Sequence, residues 1–201
     1  MTETGARARG ALNSPRLKRA IRKVAGSLAL VPLLSVLGGC SSAEGDEAPP
    51  LGHTDQAFES VVDCQRESTL AYDNGSAIGS VELIHIDGMP ATVRTGHAFL
   101  ALQRLAASHG IDVRISSGFR TMAEQQHLWQ CYQSGSCNHG NLAAKPGYSN
   151  HQSGTALDLT TPQRSALDAL IKSQGLPWKK TVPSEAWHYE YQGTDVAGPC
   201  G

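Results

Sequence analysis

Between Leu83 and Tyr191 the spacing of apolar and polar positions changes several times, and each change predicts an element. Leu83-Ile84-His85-Ile86 is a strand-forming run closed by Asp87-Gly88, a dipeptide suited to a tight turn, with Ala91-Thr92-Val93 as its expected partner. From Thr95 to Ser108 the spacing becomes helical: Phe99, Leu100, Leu102 and Leu105 gather largely on one side, Thr95 is placed to cap the start, and Gly110 is a stop just past the end. Ile111 to Ser117 alternates as a strand that ends at Gly118-Phe119-Arg120. Thr121 and Glu124 have capping-box spacing for a helix reaching Gln133, and Thr161, Pro162 and Gly175 bracket another. Thr155 to Thr160 alternates polar and apolar, which predicts a loop running into a strand. Ala186 to Tyr191 is aromatic-rich with a two-residue period, a strand carrying His188 and Glu190 on one face and Trp187, Tyr189 and Tyr191 on the other. Helices beside several short strands indicate an α+β domain with a small, mostly antiparallel sheet flanked by helices.

Laid over these elements, two stretches hold a complete donor set for hydrolytic metal chemistry. The first is Ser149-Asn150-His151-Gln152-Ser153-Gly154-Thr155-Ala156-Leu157-Asp158, and the second is Glu185-Ala186-Trp187-His188. Two imidazoles, His151 and His188, and the Asp158 carboxylate can hold Zn²⁺ while leaving a fourth position for water. Glu185, three residues before the last ligand, is placed to take that water's proton. The chain has no helical His-Glu-x-x-His pair, so the ligands must converge from separate elements: His151 from a loop, Asp158 from a strand. Nitrogen and oxygen donors of this kind also accept Co²⁺ or Mn²⁺, and Zn²⁺ is the expected cofactor.

These residues resemble the VanY-type zinc D-alanyl-D-alanine carboxypeptidases, part of a superfamily that shares its metal-site fold with hedgehog signalling domains. The family pattern Ser-x-His-x-x-Gly-x-Ala-x-Asp is matched at Ser149, His151, Gly154, Ala156 and Asp158, and Glu-x-Trp-His at Glu185, Trp187 and His188. Ser117-Gly118-Phe119-Arg120-Thr121 is similar to the family's Ser-Gly-Tyr-Arg-Ser. The resemblance runs from about Pro90 to Tyr191 and implies a hedgehog/D,D-peptidase-like fold. It implies His151, Asp158 and His188 as metal ligands, Glu185 as general base, and Arg120 as the cation that steadies the oxyanion. Arg120 has a plainer alternative as a structural ion-pair partner. The stretch from Asp158 to Glu185 is shorter than in many relatives, a departure that bears on substrate choice.

Charge and cysteine content frame this core. The first 23 residues carry seven basic side chains (Arg7, Arg9, Arg16, Lys18, Arg19, Arg22 and Lys23) against one acid, and Val24 to Leu37 is apolar but short for a bilayer span. That is the pattern of an export signal, ending in Leu37-Gly38-Gly39-Cys40, which resembles a bacterial lipobox with Cys40 as the lipidated residue. An ordinary signal peptide or a short anchor is the alternative. The expected organisation is a signal peptide over 1–39, a hydrophilic tether over 40–57 and a zinc peptidase-like domain over 58–201, exported to the cell envelope. Removing residues 1–39 leaves ten basic and seventeen acidic side chains, a formal charge of −7 that argues against a nucleic-acid partner. In an oxidising compartment the four further cysteines are expected as disulfides, Cys131 with Cys137 across a small flexible loop and Cys64 with Cys200. A Cys-rich metal site lacks Cys-x-x-Cys spacing. His53, His85, His97, His109, His127 and His139 read as surface or core side chains, and Trp187 and Tyr189 as packing residues.

Resemblance and expected address together imply a peptidoglycan stem peptide as the partner and a monomer bound to the membrane through its lipid. The expected reaction is cleavage of a terminal D-Ala-D-Ala bond. Endopeptidase action on a cross-link or an L-Ala-D-Glu bond, and a non-catalytic zinc-containing wall-binding module, are the alternatives.

Overall fold

A computed structural model describes residues 59–201; Cys40 and the signal and tether segments lie outside the described residues. Two antiparallel sheets and three helices make up the domain, an α+β architecture as the element pattern implies, although the strands divide into two sheets rather than forming one. The first sheet runs β1 (Val62–Asp73), β2 (Ser76–Ile86) and β3 (Met89–Thr92) in sequence order. Its tight connections are Asn74-Gly75 and Asp87-Gly88, in which all four residues take positive φ (49°, 81°, 50° and 80°), the geometry that matches the right-handed twist of hairpin strands.

The chain then enters α1 (Val93–Ala107). Its cap is Thr92 rather than Thr95, because Thr92 ends β3 in an extended conformation with its hydroxyl already within reach of the Thr95 N–H. Thr95 itself is buried and donates its hydroxyl to the Gly154 carbonyl. Next come β4 (Arg114–Ser117), which begins three residues later than the alternation suggests, and α2 (Met122–Ser134), with the expected capping box between Thr121 and Glu124. β5 (Ala156–Thr160), α3 (Arg164–Ser173), β6 (Trp178–Lys179) and β7 (His188–Tyr191) complete the domain. The second sheet has the order β4-β5-β7-β6.

A single apolar cluster joins these parts. Ile84 and Ile86 of β2, Phe99 and Leu102 of α1, Ile115 of β4, Leu157 and Leu159 of β5, Leu167 of α3 and Tyr189 of β7 pack together, and burying such a set is the main drive to fold. The two sheets meet where the Phe119 N–H donates to the Pro90 carbonyl at 2.7 Å. A Cβ at Gly118 would stand 1.9 Å from the Pro90 carbonyl oxygen, so no larger residue fits this crossing. Disulfides pair Cys64 with Cys200 and Cys131 with Cys137, with Cα separations of 5.2 and 4.8 Å. The first ties β1 to the C-terminal segment.

Candidate metal centre

Strand register brings the donors together. On β5, Asp158 stands opposite Ser117 of β4 on one side and His188 of β7 on the other. Ser117 and His188 therefore flank the carboxylate before any side-chain contact is considered. His151 reaches the same point from the loop preceding β5. That loop is pinned by the Gln152 N–H on the Ser149 carbonyl, the Ala156 N–H on the Asn150 carbonyl and the Arg120 N–H on the His151 carbonyl. Gly154 closes it at φ 80°, where a Cβ would stand 2.2 Å from the Thr92 methyl, and its carbonyl accepts from the Thr92 and Thr95 hydroxyls.

The resulting cluster is tight. His151 Nε2 lies 3.3 Å and His188 Nδ1 3.2 Å from the same oxygen, Asp158 Oδ1, and one donor atom from each of the three residues lies within 4.8 Å of the others. All three side chains are buried. Each imidazole is oriented by its other nitrogen. His151 Nδ1–H donates to the Gly118 carbonyl at 2.7 Å, and His188 Nε2–H donates to Glu190 Oε1 at 3.2 Å. These bonds leave His151 Nε2 and His188 Nδ1 as the nitrogens turned toward Asp158, the arrangement a metal needs.

Electrostatics favour a ligand's protonation state at Asp158 and at His151. Burial pushes the Asp158 carboxyl up, but hydrogen bonds from His151 and His188 and the Arg120 charge outweigh it and hold the group well below the usual carboxylate range. Burial pushes His151 down, towards the neutral imidazole a metal binds. His188 is raised: burial opposes its charge, and the Asp158 and Glu190 carboxylates outweigh that cost.

Glu185 stands just ahead of β7 with Oε2 3.8 Å from His188 Nδ1, and both line the same cleft of about 720 Å³. Arg120 also lines it, donating to Asp158 Oδ2 and to the Ser117 hydroxyl, each at 3.1 Å. The guanidinium is thus fixed beside the Asp158 carboxylate at the cleft. His151, Asp158, His188, Glu185 and Arg120, drawn from three motifs, line one cleft.

Other placements differ from the sequence pattern. Trp187 precedes β7 instead of joining it: a turn closed by the His188 N–H on the Glu185 carbonyl swings its side chain outward, and it is 47% exposed on the cleft wall. Tyr189 and Tyr191 do turn into the core. Glu190, given no role by the motifs, is buried and accepts from His188, Asn150 and Thr181 on one oxygen, Oε1. The two-residue spacing from His188 put it on the ligand's face and was the available signal. His139 is exposed, in a single 3-10 turn (Asn138–Gly140). His127 lies 3.6 Å from the Cys131 sulfur, but both cysteines near it are consumed by their disulfide.

Residues 91–181 match the VanY family model, described as D-alanyl-D-alanine carboxypeptidase. Over that stretch the chain is similar to the VanY-type peptidases. The matched stretch holds Arg120, His151 and Asp158 and stops short of Glu185 and His188. The chain is 37% identical over 95 residues to the peptidoglycan L-alanyl-D-glutamate endopeptidase CwlK of Bacillus subtilis (strain 168), a match covering 46% of this chain and 45% of that protein. The chain therefore spans a little under half the length of that curated relative. Among solved structures it is similar to VanYB in complex with D-Alanine-D-Alanine (TM-score 0.49, 21% identity, 61% of this chain and 85% of that one). A second is a vancomycin-resistance D,D-pentapeptidase VanY mutant in complex with Zn(II) (TM-score 0.46, 22% identity, 56% and 79%).

Proposed function

We propose that this chain is a zinc-dependent peptidase acting on peptidoglycan stem peptides. The observation that carries this is the convergence of His151 Nε2, His188 Nδ1 and Asp158 Oδ1 within 4.8 Å, with Glu185 beside them in an open cleft. The donor set fits Zn²⁺: two oriented imidazoles and one carboxylate, with no sulfur among them. A bound zinc would supply Lewis acidity, making water acidic near neutrality and polarising a peptide carbonyl.

The chain's own groups do the rest. Glu185 accepts a proton from the attacking water and returns it to the departing amine. Arg120, held by Asp158 and Ser117 before substrate arrives, presents positive charge where the carbonyl oxygen becomes negative. Glu190 and the Gly118 carbonyl hold the two imidazoles in register throughout.

The function we propose is endopeptidase cleavage in the stem, in keeping with the L-alanyl-D-glutamate activity named for the Bacillus relative. D-alanyl-D-alanine carboxypeptidase action is the second reading, supported by the family description. The basic, then apolar N-terminus ending in Cys40 supports an exported lipoprotein that meets this polymer.

Digestion of purified sacculi by the zinc-loaded chain, read by mass spectrometry, tests this. Peptides with a new D-Glu amino terminus support the endopeptidase, and free D-alanine supports the carboxypeptidase. Sacculi left unchanged by both wild type and Glu185→Gln would end the enzymatic reading, and retention on sacculi without new chain ends would identify a binding module.

A further inference from the structure

The cleft is larger than one peptide bond needs, and its wall away from the ligands has a different chemistry. Beyond Arg120, Asp158, Glu185 and the histidines, its lining contains no charged side chain among the described residues. Leu128, Asn138, Asn141, Leu142, Tyr148 and Trp187 form that wall. Three of these are large apolar or aromatic groups left in solvent: Leu142 at 61%, Tyr148 at 52% and Trp187 at 47% exposure. Exposed aromatics beside primary amides make a surface that is apolar over ring faces and offers both donors and acceptors at its edge.

The wall is also built to hold its shape. Tyr148 lies against the β1–β2 turn, where a Cβ on Gly75 would stand 2.7 Å from its hydroxyl, and the Gly75 N–H donates to the Gly147 carbonyl at 2.8 Å. Asn138 begins the 3-10 turn with φ 50°, followed by His139 at 53°, both left-handed non-glycine conformations. That turn is fastened at its start by the Cys131–Cys137 disulfide, and the chain beyond it by Gln125 Nε2 donating to the Ala144 carbonyl at 2.8 Å. Trp187 is fixed through its backbone, its carbonyl accepting from the Leu159 N–H.

A stem peptide carries free carboxylates and an amine, which call for charged partners; the lining residues of this wall carry none themselves, and Lys145 Nζ lies over the Tyr148 ring at 5.9 Å. The neutral part of the polymer is the amide-bearing sugar to which the peptide is joined. We propose that this wall is a subsite for that sugar: Trp187 packs on a ring face while Asn138 and Asn141 bond its acetamido and hydroxyl groups. The inference rests on the stem-peptide reading and deepens it. An extended residue spans about 3.3–3.6 Å, so a sugar held in the same cleft as the ligands places the first bonds of the stem at the site, not the distal D-Ala-D-Ala bond.

The test is binding to the full-length, zinc-loaded Glu185→Gln chain by calorimetry, with two probes: a disaccharide-tetrapeptide and the same tetrapeptide with its sugar removed. The sugar-bearing probe is expected to bind about tenfold more tightly. Trp187→Ala in that background should bring the two affinities together, and Trp187→Phe should restore the difference. Equal affinity for the two probes, binding of neither, or a difference that survives Trp187→Ala would overturn the subsite. The peptidase reading fails separately, when wild-type digests of sacculi show no new chain ends.

Discussion

In the first sheet, β1 and the first half of β2 leave most of their side chains in solvent, with Leu70 49% and Ile78 56% exposed. In the second, all four residues of β7 and four of the five in β5 are buried, including Asp158, His188 and Glu190. The contrast separates two tasks. A buried strand fixes rotamers by packing, so Asp158 and His188 sit where the chain has least freedom. The exposed hairpin braces from outside: the Tyr72 N–H donates to the Gln152 carbonyl and the Gly75 N–H to the Gly147 carbonyl, holding the loop that carries His151.

The largest effect that tests this division is chemical. Glu185→Gln should lower turnover of sacculi by about 10²–10⁴-fold while leaving zinc content and the unfolding midpoint unchanged, since Glu185 sits outside the packed strands. Turnover near that of wild type would remove the base from the account. Next in size is a packing contrast between the sheets. Leu159→Ala, at 0% exposure in β5, should cost about 2–5 kcal/mol in urea unfolding, against about 0.5 kcal/mol or less for Leu70→Ala in β1. Similar costs at the two positions would erase the distinction.

Glu190→Gln sharpens it further, because this carboxylate lies on the buried strand and touches a ligand. Chelator competition should show zinc affinity lowered by about 10–100-fold with the fold intact by circular dichroism. An unchanged affinity would mean that His188 keeps its tautomer without this partner.

The smallest effect belongs to the first sheet. Burial pushes the Asp87 carboxyl up, but bonds from the Ser60 hydroxyl and Val61 N–H and the Arg114 charge outweigh it and lower its pKa. A carboxyl lower in the folded than in the unfolded state contributes stability above its unfolded value, near 3.8, and loses it as pH falls through the folded value. Asp87→Asn should therefore cost about 0.5–1 kcal/mol at neutral pH, a difference from wild type that shrinks as pH falls below 3.8. A gap that widens in acid would reverse the assignment.

The clustering of His151, Asp158, His188 and Glu185 was legible in the sequence because each lies in a short motif whose spacing already implies loop-to-strand geometry, as at His151 and Asp158. The β1–β2 hairpin was not, since its strands are too exposed to show apolar alternation; the Asn74-Gly75 dipeptide was its one local signal. Thr92 and Thr95 exchanged roles because the Gly154 carbonyl, 59 residues from Thr95, claims the Thr95 hydroxyl. Trp187 was placed in the core by strand alternation, and the turn at Glu185 moved it to the cleft. Glu190 is functional only through His188, a relation that pattern cannot distinguish from an ordinary buried polar residue until distances are known.

Zinc K-edge X-ray absorption on the full-length chain tests the central claim most directly. The account predicts a first shell of nitrogen and oxygen alone, with two imidazoles at about 2.0–2.1 Å that are reduced to one in His188→Ala. Sulfur in the shell, or an imidazole count unchanged by that substitution, would contradict it.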